Sequence, residues 1–391
     1  MKVSDFILQY LVSKKINNVF LMIGGAISFT IDAFSRNKKI KYTCVGHEQG
    51  AAMMADAYSR IGPNFGATMS TSGPGAQNLL TGIACSWFDS IPTIHICGQV
   101  NTSELCNVIN KTNKVRQVGF QETDIVSIVK PITKFAYRIK SANEIKYILE
   151  KSFYLAHNGR PGPVLIDIPM NFQKEKINLK NIKSFVIPKK NLIKKNKLVK
   201  DVFKIKKLLQ KSKRPVLILG GGVRLSNSVQ HLSKFLNKFK LPIVTTWSGI
   251  DLVEYKNNSY IGCIGVYGSR AANFTVQNAD LIINLGSRLD TRVTGGRPET
   301  FARNAKIVSV DVDRNELSKD RGLKIYLKIN LDLNIFLQFF NLELKKFKYY
   351  PNNEWIKKAK IWKNEYSNYS INYNKQKKLV NPYFFIDSMS N

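Results

Sequence analysis

Acidic residues are scarce in this sequence. Its 391 residues include 27 Asp and Glu against 60 Lys and Arg, which gives a formal net charge of +33. A surface with that charge favours the binding of nucleic acid. The basic residues, however, are mostly lysines without interleaved aromatic residues or Arg-Gly repeats. We therefore attribute the charge to lysines on solvent-exposed helix faces and predict no nucleic-acid partner. A basic nucleic-acid-binding module is the alternative.

Cysteine and long apolar runs are scarce as well. The five cysteines form no C-x-x-C pair, and the first residues show no signal-peptide core, which indicates a reduced, cytoplasmic chain. No apolar run approaches the roughly 18 residues of a membrane-spanning helix, so we expect no membrane association. The sequence also lacks a G-x-G-x-x-G motif, which argues against a site for NAD.

Short apolar runs alternate with helical patterns along most of the chain. This alternation predicts an α/β fold with two parallel-sheet, three-layer domains. We expect the first domain at residues 1–175 and a second, Rossmann-like domain at 200–345. A Lys-rich linker at 176–199 would join them, and a helical tail would follow at 346–391.

Four segments of the first predicted domain lie at the carboxyl ends of strands. They are Gly24-Gly25, the segment that ends in Glu48, Ser72-Gly73-Pro74-Gly75, and Gly98-Gln99. Since ligands of parallel sheets bind at the carboxyl ends of the strands, we expect these turns to share one site. Glu48 lies between an apolar strand and an Ala- and Met-rich helix, so its carboxylate should be dry and able to hold or pass a proton. A helix-start glutamate stabilised by the helix dipole is the simpler explanation.

Six segments together resemble one enzyme family. They occur in the family's order over nearly the whole chain: Gly24-Gly25-Ala26, Gly46-His47-Glu48, Thr71-Ser72-Gly73-Pro74-Gly75-Ala76, Phe120-Gln121-Glu122, Arg160-Pro161-Gly162-Pro163-Val164 and Leu285-Gly286-Ser287-Arg288-Leu289-Asp290-Thr291-Arg292. The chain is similar to the thiamine-diphosphate-dependent enzymes, most closely to acetolactate synthase large subunits and related carboligases. The resemblance implies that the first domain binds the pyrimidine ring of thiamine diphosphate and that the second is the family's central domain.

The resemblance also implies roles for single residues. Glu48 would hydrogen-bond the aminopyrimidine ring nitrogen and promote the tautomer that removes the thiazolium C2 proton. Gln121 would hydrogen-bond the reaction intermediate, and Phe120 would shape an apolar pocket that favours decarboxylation. The residues expected to bind the cofactor beside Glu48 are Gly24, Gly25, Ser72, Gly73, Pro74 and Gly75.

In the acetolactate synthases, the central domain carries FAD, which takes no part in the net redox balance. The residues that match its binding loops are Gly220, Gly221, Gly222, Gly286, Arg288 and Asp311. Asp311 could accept hydrogen bonds from hydroxyl groups, and Arg288 could contact the flavin or a substrate carboxylate. A Rossmann turn inherited without a flavin is the alternative explanation for the glycines.

The family's Gly-Asp-Gly motif, which binds the diphosphate through magnesium, has no counterpart in this sequence. We therefore predict no metal ligands in this chain and place the Mg²⁺ ligands in a diphosphate-binding domain beyond it. Family active sites lie between subunits, which leads us to expect a homodimer or homotetramer, with a regulatory small subunit as a further partner. On this view, the chain by itself is inactive.

The resulting prediction is an N-terminal portion of a carboligase of branched-chain amino-acid synthesis, which decarboxylates pyruvate and joins the two-carbon unit to a second 2-oxo acid. Two departures from the acetolactate synthases leave alternatives open: Met170 replaces a usual lysine, and Met22-Ile23 replace Tyr-Pro. One alternative is a related carboligase acting on a nucleotide-sugar ketone in surface-polysaccharide synthesis. The other is a non-enzymatic two-domain chain that pairs with a diphosphate-domain subunit or regulates a homologue.

Overall fold

The computed structural model describes residues 1–61, 65–106, 115–189, 195–345, 347–367 and 379–390. Residues 62–64 and 107–114, together with parts of the predicted linker (190–194) and tail (346, 368–378 and 391), lie outside the described residues. The chain divides into two compact units, Met1–Asn191 and Leu192–Asn391. The finer domain boundaries given above stay predictions.

The first unit is built on a six-stranded sheet. Its strands are β1 (Asn18–Leu21), β2 (Lys41–Cys44), β3 (Gly66–Ser70), β4 (Thr93–Gln99), β5 (Phe135–Arg138) and β6 (Val164–Pro169). They lie in the order β2-β1-β3-β4-β6-β5, and every neighbouring pair runs parallel. The carboxyl ends of all six strands therefore meet at one edge, where ligands of such sheets bind.

Helices connect these strands. They are α1 (Val3–Ser13), α2 (Ser28–Arg36), α3 (Glu48–Arg60), α4 (Pro74–Asn78), α5 (Leu80–Asp89), α6 (Ile125–Val129), α7 (Ile145–His157) and α8 (Met170–Lys174). Leu79 separates α4 from α5.

The second unit has a sheet of the same kind. Its strands are β7 (Pro215–Leu219), β8 (Ile243–Thr245), β9 (Tyr260–Cys263), β10 (Leu281–Leu285), β11 (Lys306–Asp311) and β12 (Leu327–Asn330). Their order is β12-β11-β10-β7-β8-β9, again with parallel pairs throughout.

The helices of the second unit are α9 (Lys195–Lys211), α10 (Gly222–Leu225), α11 (Val229–Lys238), α12 (Arg270–Gln277), α13 (Thr291–Thr294), α14 (Arg314–Ser318), α15 (Leu333–Glu343), α16 (Asn353–Glu365) and α17 (Pro382–Ser390). Across the described ranges of both units, no helix combines the length and apolar character that a membrane crossing requires.

The central strands of both sheets are buried along their whole length. Every residue of β3, β4 and β6 in the first unit, and of β7 and β10 in the second, is inaccessible to solvent. Continuous burial of this kind occurs when helices cover both faces of a parallel sheet. The prediction of two three-layer α/β domains is confirmed.

Candidate functional site

Glu48 is the first residue of α3, shortly after strand β2 ends at Cys44. The His47 side chain caps this helix, since its Nδ1 accepts a hydrogen bond from the Gln49 amide at 3.2 Å. Glu48 is only 5% exposed, and its Oε2 accepts a hydrogen bond from Asn78 Nδ2 at 2.9 Å. The sheet edge thus holds a nearly buried carboxylate, as predicted. Its burial does not come from an apolar strand before it, because the edge strand β2 is mostly exposed.

Two predicted glycines pack around Thr71, beside this carboxylate. A Cβ on Gly24 would lie 2.5 Å from Thr71 Cβ, and a Cβ on Gly75 would lie 2.7 Å from Thr71 Cγ2 and 3.0 Å from Glu48 Oε1. Thr71 Oγ1 also accepts a hydrogen bond from the Ala26 amide at 3.2 Å. Side chains at the two glycine positions would collide with this packing, so the close approach of three turns explains why glycine stands there.

Gln121 lies against the turn between β3 and α4. A Cβ on Gly73 would be 2.7 Å from Gln121 Cβ, and Gly73 itself has φ +59° and ψ −123°, a conformation open essentially to glycine alone. Gln121 has φ +62°, which is uncommon for a residue with a side chain. Its neighbour Phe120 is 81% exposed.

The other residues predicted to bind the cofactor differ in their surroundings. Ser72 is buried, whereas Pro74 is exposed and begins α4. A Cβ on Gly25 would meet no atom within 4 Å, so this position opens onto free space beside the packed Gly24. The structure therefore brings Glu48, the Gly24 turn and the Ser72–Gly75 turn together, and places Gln121 on the same turn.

In the second unit, the glycine triplet packs against Gly286. A Cβ on Gly220 would lie 2.3 Å from the Gly286 carbonyl oxygen, and a Cβ on Gly222 would lie 2.8 Å from Gly286 Cα. The Gly222 amide donates to the Gly286 carbonyl at 3.0 Å. A Cβ on Gly221 would lie 2.8 Å from Ser248 Cβ. Internal packing by itself therefore accounts for the glycines, so they do not distinguish a flavin site from an inherited turn.

Arg288 follows strand β10, and Asp311 is the last residue of strand β11. Arg288 Nη2 donates to Asp290 Oδ2 at 3.2 Å, and 38% of the Arg288 side chain is exposed. Asp311 is buried, and its Oδ1 accepts a hydrogen bond from the Asp313 amide at 2.8 Å.

Sequence reasoning missed several residues that the structure adds to these edges. Asn78 lies at the end of α4 and bonds Glu48, which is 30 positions earlier in the chain, a separation that no local sequence pattern reveals. In the second unit, the Arg292 guanidinium lies over the exposed rings of Trp247 and Tyr267, 4.9 and 5.6 Å from their centroids. Arg292 lies in α13, Trp247 follows strand β8 and Tyr267 precedes α12, so no local sequence pattern connects the three.

Comparison with known proteins identifies the family of this chain. Residues 1–128 match the family model described as thiamine pyrophosphate enzyme, N-terminal TPP binding domain, and residues 202–338 match thiamine pyrophosphate enzyme, central domain. Together the two matches take up more than half of the chain. The chain belongs to the thiamine pyrophosphate enzyme family.

Several relatives of this chain are acetolactate synthase large subunits. That of Cyanidium caldarium is 35% identical over 369 residues, covering 92% of this chain and 61% of the relative. Isozyme 2 of Escherichia coli K12 is 33% identical over 363 residues (92% and 62%), and the Lactococcus lactis protein is 35% identical over 354 residues (90% and 59%). The chain thus spans about three fifths of the length of these relatives.

The first unit of this thiamine pyrophosphate enzyme fits the pyrimidine half of the cofactor. A buried carboxylate is the group needed to bond a ring nitrogen, and Gly25 leaves open space where a ligand could approach the backbone. For magnesium, the structure offers no comparable fit in its described part, where no three His, Cys, Asp or Glu side chains converge. The location of the metal ligands therefore stays a prediction.

Proposed function

We propose that this chain forms part of an acetolactate synthase-type carboligase, which decarboxylates pyruvate and joins the two-carbon unit to a second 2-oxo acid. The observation that carries the proposal is the nearly buried Glu48 carboxylate at the sheet edge, between the Gly24 and Gly75 turns. The names of the relatives support the choice of reaction.

Thiamine diphosphate, when bound, supplies a thiazolium ring that takes up electrons as carbon dioxide leaves. In our proposal, Glu48 shares a proton with a ring nitrogen of the pyrimidine, and Asn78 fixes the position of the carboxylate through its hydrogen bond to Oε2. Gln121 binds the reacting group through its side-chain amide, and Phe120 excludes water from it. An exposed Phe120 would then become covered when cofactor, substrate or a further subunit is in place.

The remaining partners belong to the same proposal. Mg²⁺ would bind the diphosphate through ligands outside the described residues of this chain. A homodimer or homotetramer would complete each site, with a regulatory small subunit as a further partner and the cytoplasm as the compartment.

We also propose FAD for the second unit, at the edge that carries Arg288 and Asp311. Purified protein should then absorb in the flavin bands, and the colour should be released on denaturation. Colourless protein that takes up no added FAD would leave internal packing as the sole role of Gly220 to Gly222.

The proposed reaction is tested on the product of the native gene, purified with any subunits that accompany it. Given pyruvate, thiamine diphosphate, Mg²⁺ and FAD, it should form acetolactate. Absence of acetolactate at every cofactor concentration, with thiamine diphosphate bound, would favour another acceptor. Absence of both binding and reaction would favour a non-enzymatic partner chain.

A further inference from the structure

A row of polar side chains crosses the first sheet just below the edge that carries Glu48. Strand pairing places Ser70, Cys97, Asp167 and Arg138 side by side on β3, β4, β6 and β5. Asp167 is completely buried, and its Oδ1 has no hydrogen-bond partner among the described residues. Carboxylates are rarely buried so deeply, because the charge loses its hydration. The proposed reaction gives this carboxylate no direct part.

The other carboxylate oxygen of Asp167, Oδ2, accepts hydrogen bonds from two side chains. Arg138 Nε donates to Asp167 Oδ2 at 2.6 Å, and Gln99 Nε2 donates to the same oxygen at 3.2 Å. Both side chains also bond the Thr123 carbonyl, Gln99 through Nε2 at 2.8 Å and Arg138 through Nη2 at 3.0 Å. A single buried oxygen thus holds two side chains in the orientation in which they bind one main-chain carbonyl.

Thr123 ends the turn that carries Phe120 and Gln121. The Glu122 amide closes this turn on the Gly119 carbonyl at 3.0 Å. Gln121 within it has φ +62°, a conformation that persists only where the surroundings enforce it. The bonds to Thr123 supply part of that constraint from the sheet.

The start of the turn is held separately. The Gly119 amide donates to the Glu104 carbonyl at 2.9 Å. The Glu122 carboxylate accepts hydrogen bonds from the Cys106 and Val118 amides, at 2.8 and 3.1 Å. With Gly73 against Gln121 Cβ, the turn is fixed at each end and along one side.

We infer that Asp167 is a positioning residue, which acts through Arg138 and Gln99 on Thr123 to hold the Phe120–Gln121 turn against the sheet edge. Its catalytic consequence rests on the proposed function, because only there do Gln121 and Phe120 face a reacting group. The positioning itself does not depend on the reaction and is measured without cofactor.

The test compares amide hydrogen exchange of residues 119–123 in the unliganded chain and its Asp167→Asn variant. Loss of the charge weakens both bonds to Thr123, so exchange in this segment should become about tenfold faster. The matched control is Asp56→Asn, since Asp56 is also buried and pairs with an arginine, Arg60 Nε, at 2.6 Å. That variant should leave residues 119–123 unchanged. Equal exchange in Asp167→Asn and the control would overturn the inference.

A second variant provides a test if Asp167→Asn does not fold. Arg138→Lys keeps a cation beside Asp167 but lacks the planar fork that reaches both Asp167 and Thr123, so the same segment should exchange faster. Exchange at the wild-type rate in a folded Arg138→Lys chain would contradict the role given to the arginine.

Two further measurements are the pH dependence of exchange and the kinetics of the complete enzyme. The titratable groups that face Asp167 are Arg138 on β5, Cys97 on β4 and Asp124 before α6. In the wild type, protection of residues 119–123 from exchange should decrease as the pH is lowered through about 6, and Asp167→Asn should show no such decrease.

In the complete enzyme, Asp167→Asn should lower kcat about tenfold with little change in KM. Altered exchange without any acetolactate formation in the wild type would retain the positioning role and reject the proposed function.

Discussion

Gly75 illustrates how closely the chain packs around Glu48. Its missing side chain leaves room for Thr71 Cγ2 and for Glu48 Oε1, which would lie 2.7 and 3.0 Å from an added Cβ. Burial alone does not fix a carboxylate, because a flexible side chain can turn toward solvent. Here the neighbouring turn and the Asn78 amide together leave Glu48 little freedom.

Gly75→Ala should therefore destabilise the chain and displace the carboxylate. Overpacking a tight site of this kind costs about 1–3 kcal/mol of unfolding free energy, measurable by urea denaturation. The matched control is Gly50→Ala, at a position in α3 where a Cβ would meet no atom within 4 Å. It should be neutral or raise stability by less than about 1 kcal/mol. Equal losses in both variants would argue against the packing described around Glu48.

The residues of the candidate site differ in how readily the sequence reveals them. Glu48 and the Ser72–Gly75 turn were predictable, since each comes shortly after a predicted strand and belongs to an ordered set of motifs. Asn78 and Asp167 were not, because their significance lies in contacts with residues 30 and 29 positions away. An aspartate within an apolar run such as that of β6 can be recognised as unusual in the sequence, but the sequence does not reveal which residue it contacts.

At the scale of the secondary-structure elements, three edge strands, β5, β9 and β12, lack the continuous apolar run by which a sequence reveals a buried strand. Strand β5 is half-buried throughout, β12 alternates between buried and exposed residues, and β9 contains Gly262 at φ +146°. An edge strand has a neighbour on one side only and needs no continuous apolar run. The central strands, buried on both faces, carry such runs and were predicted.

Asp167, in the polar row across β3, β4, β6 and β5, should make the stability of the chain depend on pH. Burial raises the pKa of Asp167 from 3.8 to about 6, against the opposing effects of Arg138 and Gln99. The folded chain therefore holds this proton more tightly than the unfolded chain, so the group's contribution to stability is full below about pH 4 and is lost as pH rises through 6.

Between pH 4 and 7, the unfolding free energy of the wild type should thus decline more steeply than that of Asp167→Asn, by up to about 3 kcal/mol. Urea denaturation at several pH values measures both slopes. Parallel profiles would mean that the Asp167 carboxyl titrates alike in the folded and unfolded chain, contrary to its burial.

At the scale of the whole molecule, each unit is a parallel sheet covered by helices, and chemistry-bearing residues follow the strands of both. The family could be predicted from the sequence because its motifs are ordered along both units. The acceptor substrate could not, since the chain spans about three fifths of the length of its relatives.

The central claim is that Glu48 carries the proton transfer to the pyrimidine ring. Its most direct test is acetolactate formation by the native-gene product carrying Glu48→Gln, beside Glu343→Gln, which removes a surface carboxylate paired with Lys206 in the second unit. We predict that Glu48→Gln lowers the rate at least about 100-fold, with folding intact, and that Glu343→Gln retains the wild-type rate. A Glu48→Gln protein that forms acetolactate as fast as the wild type would contradict the account.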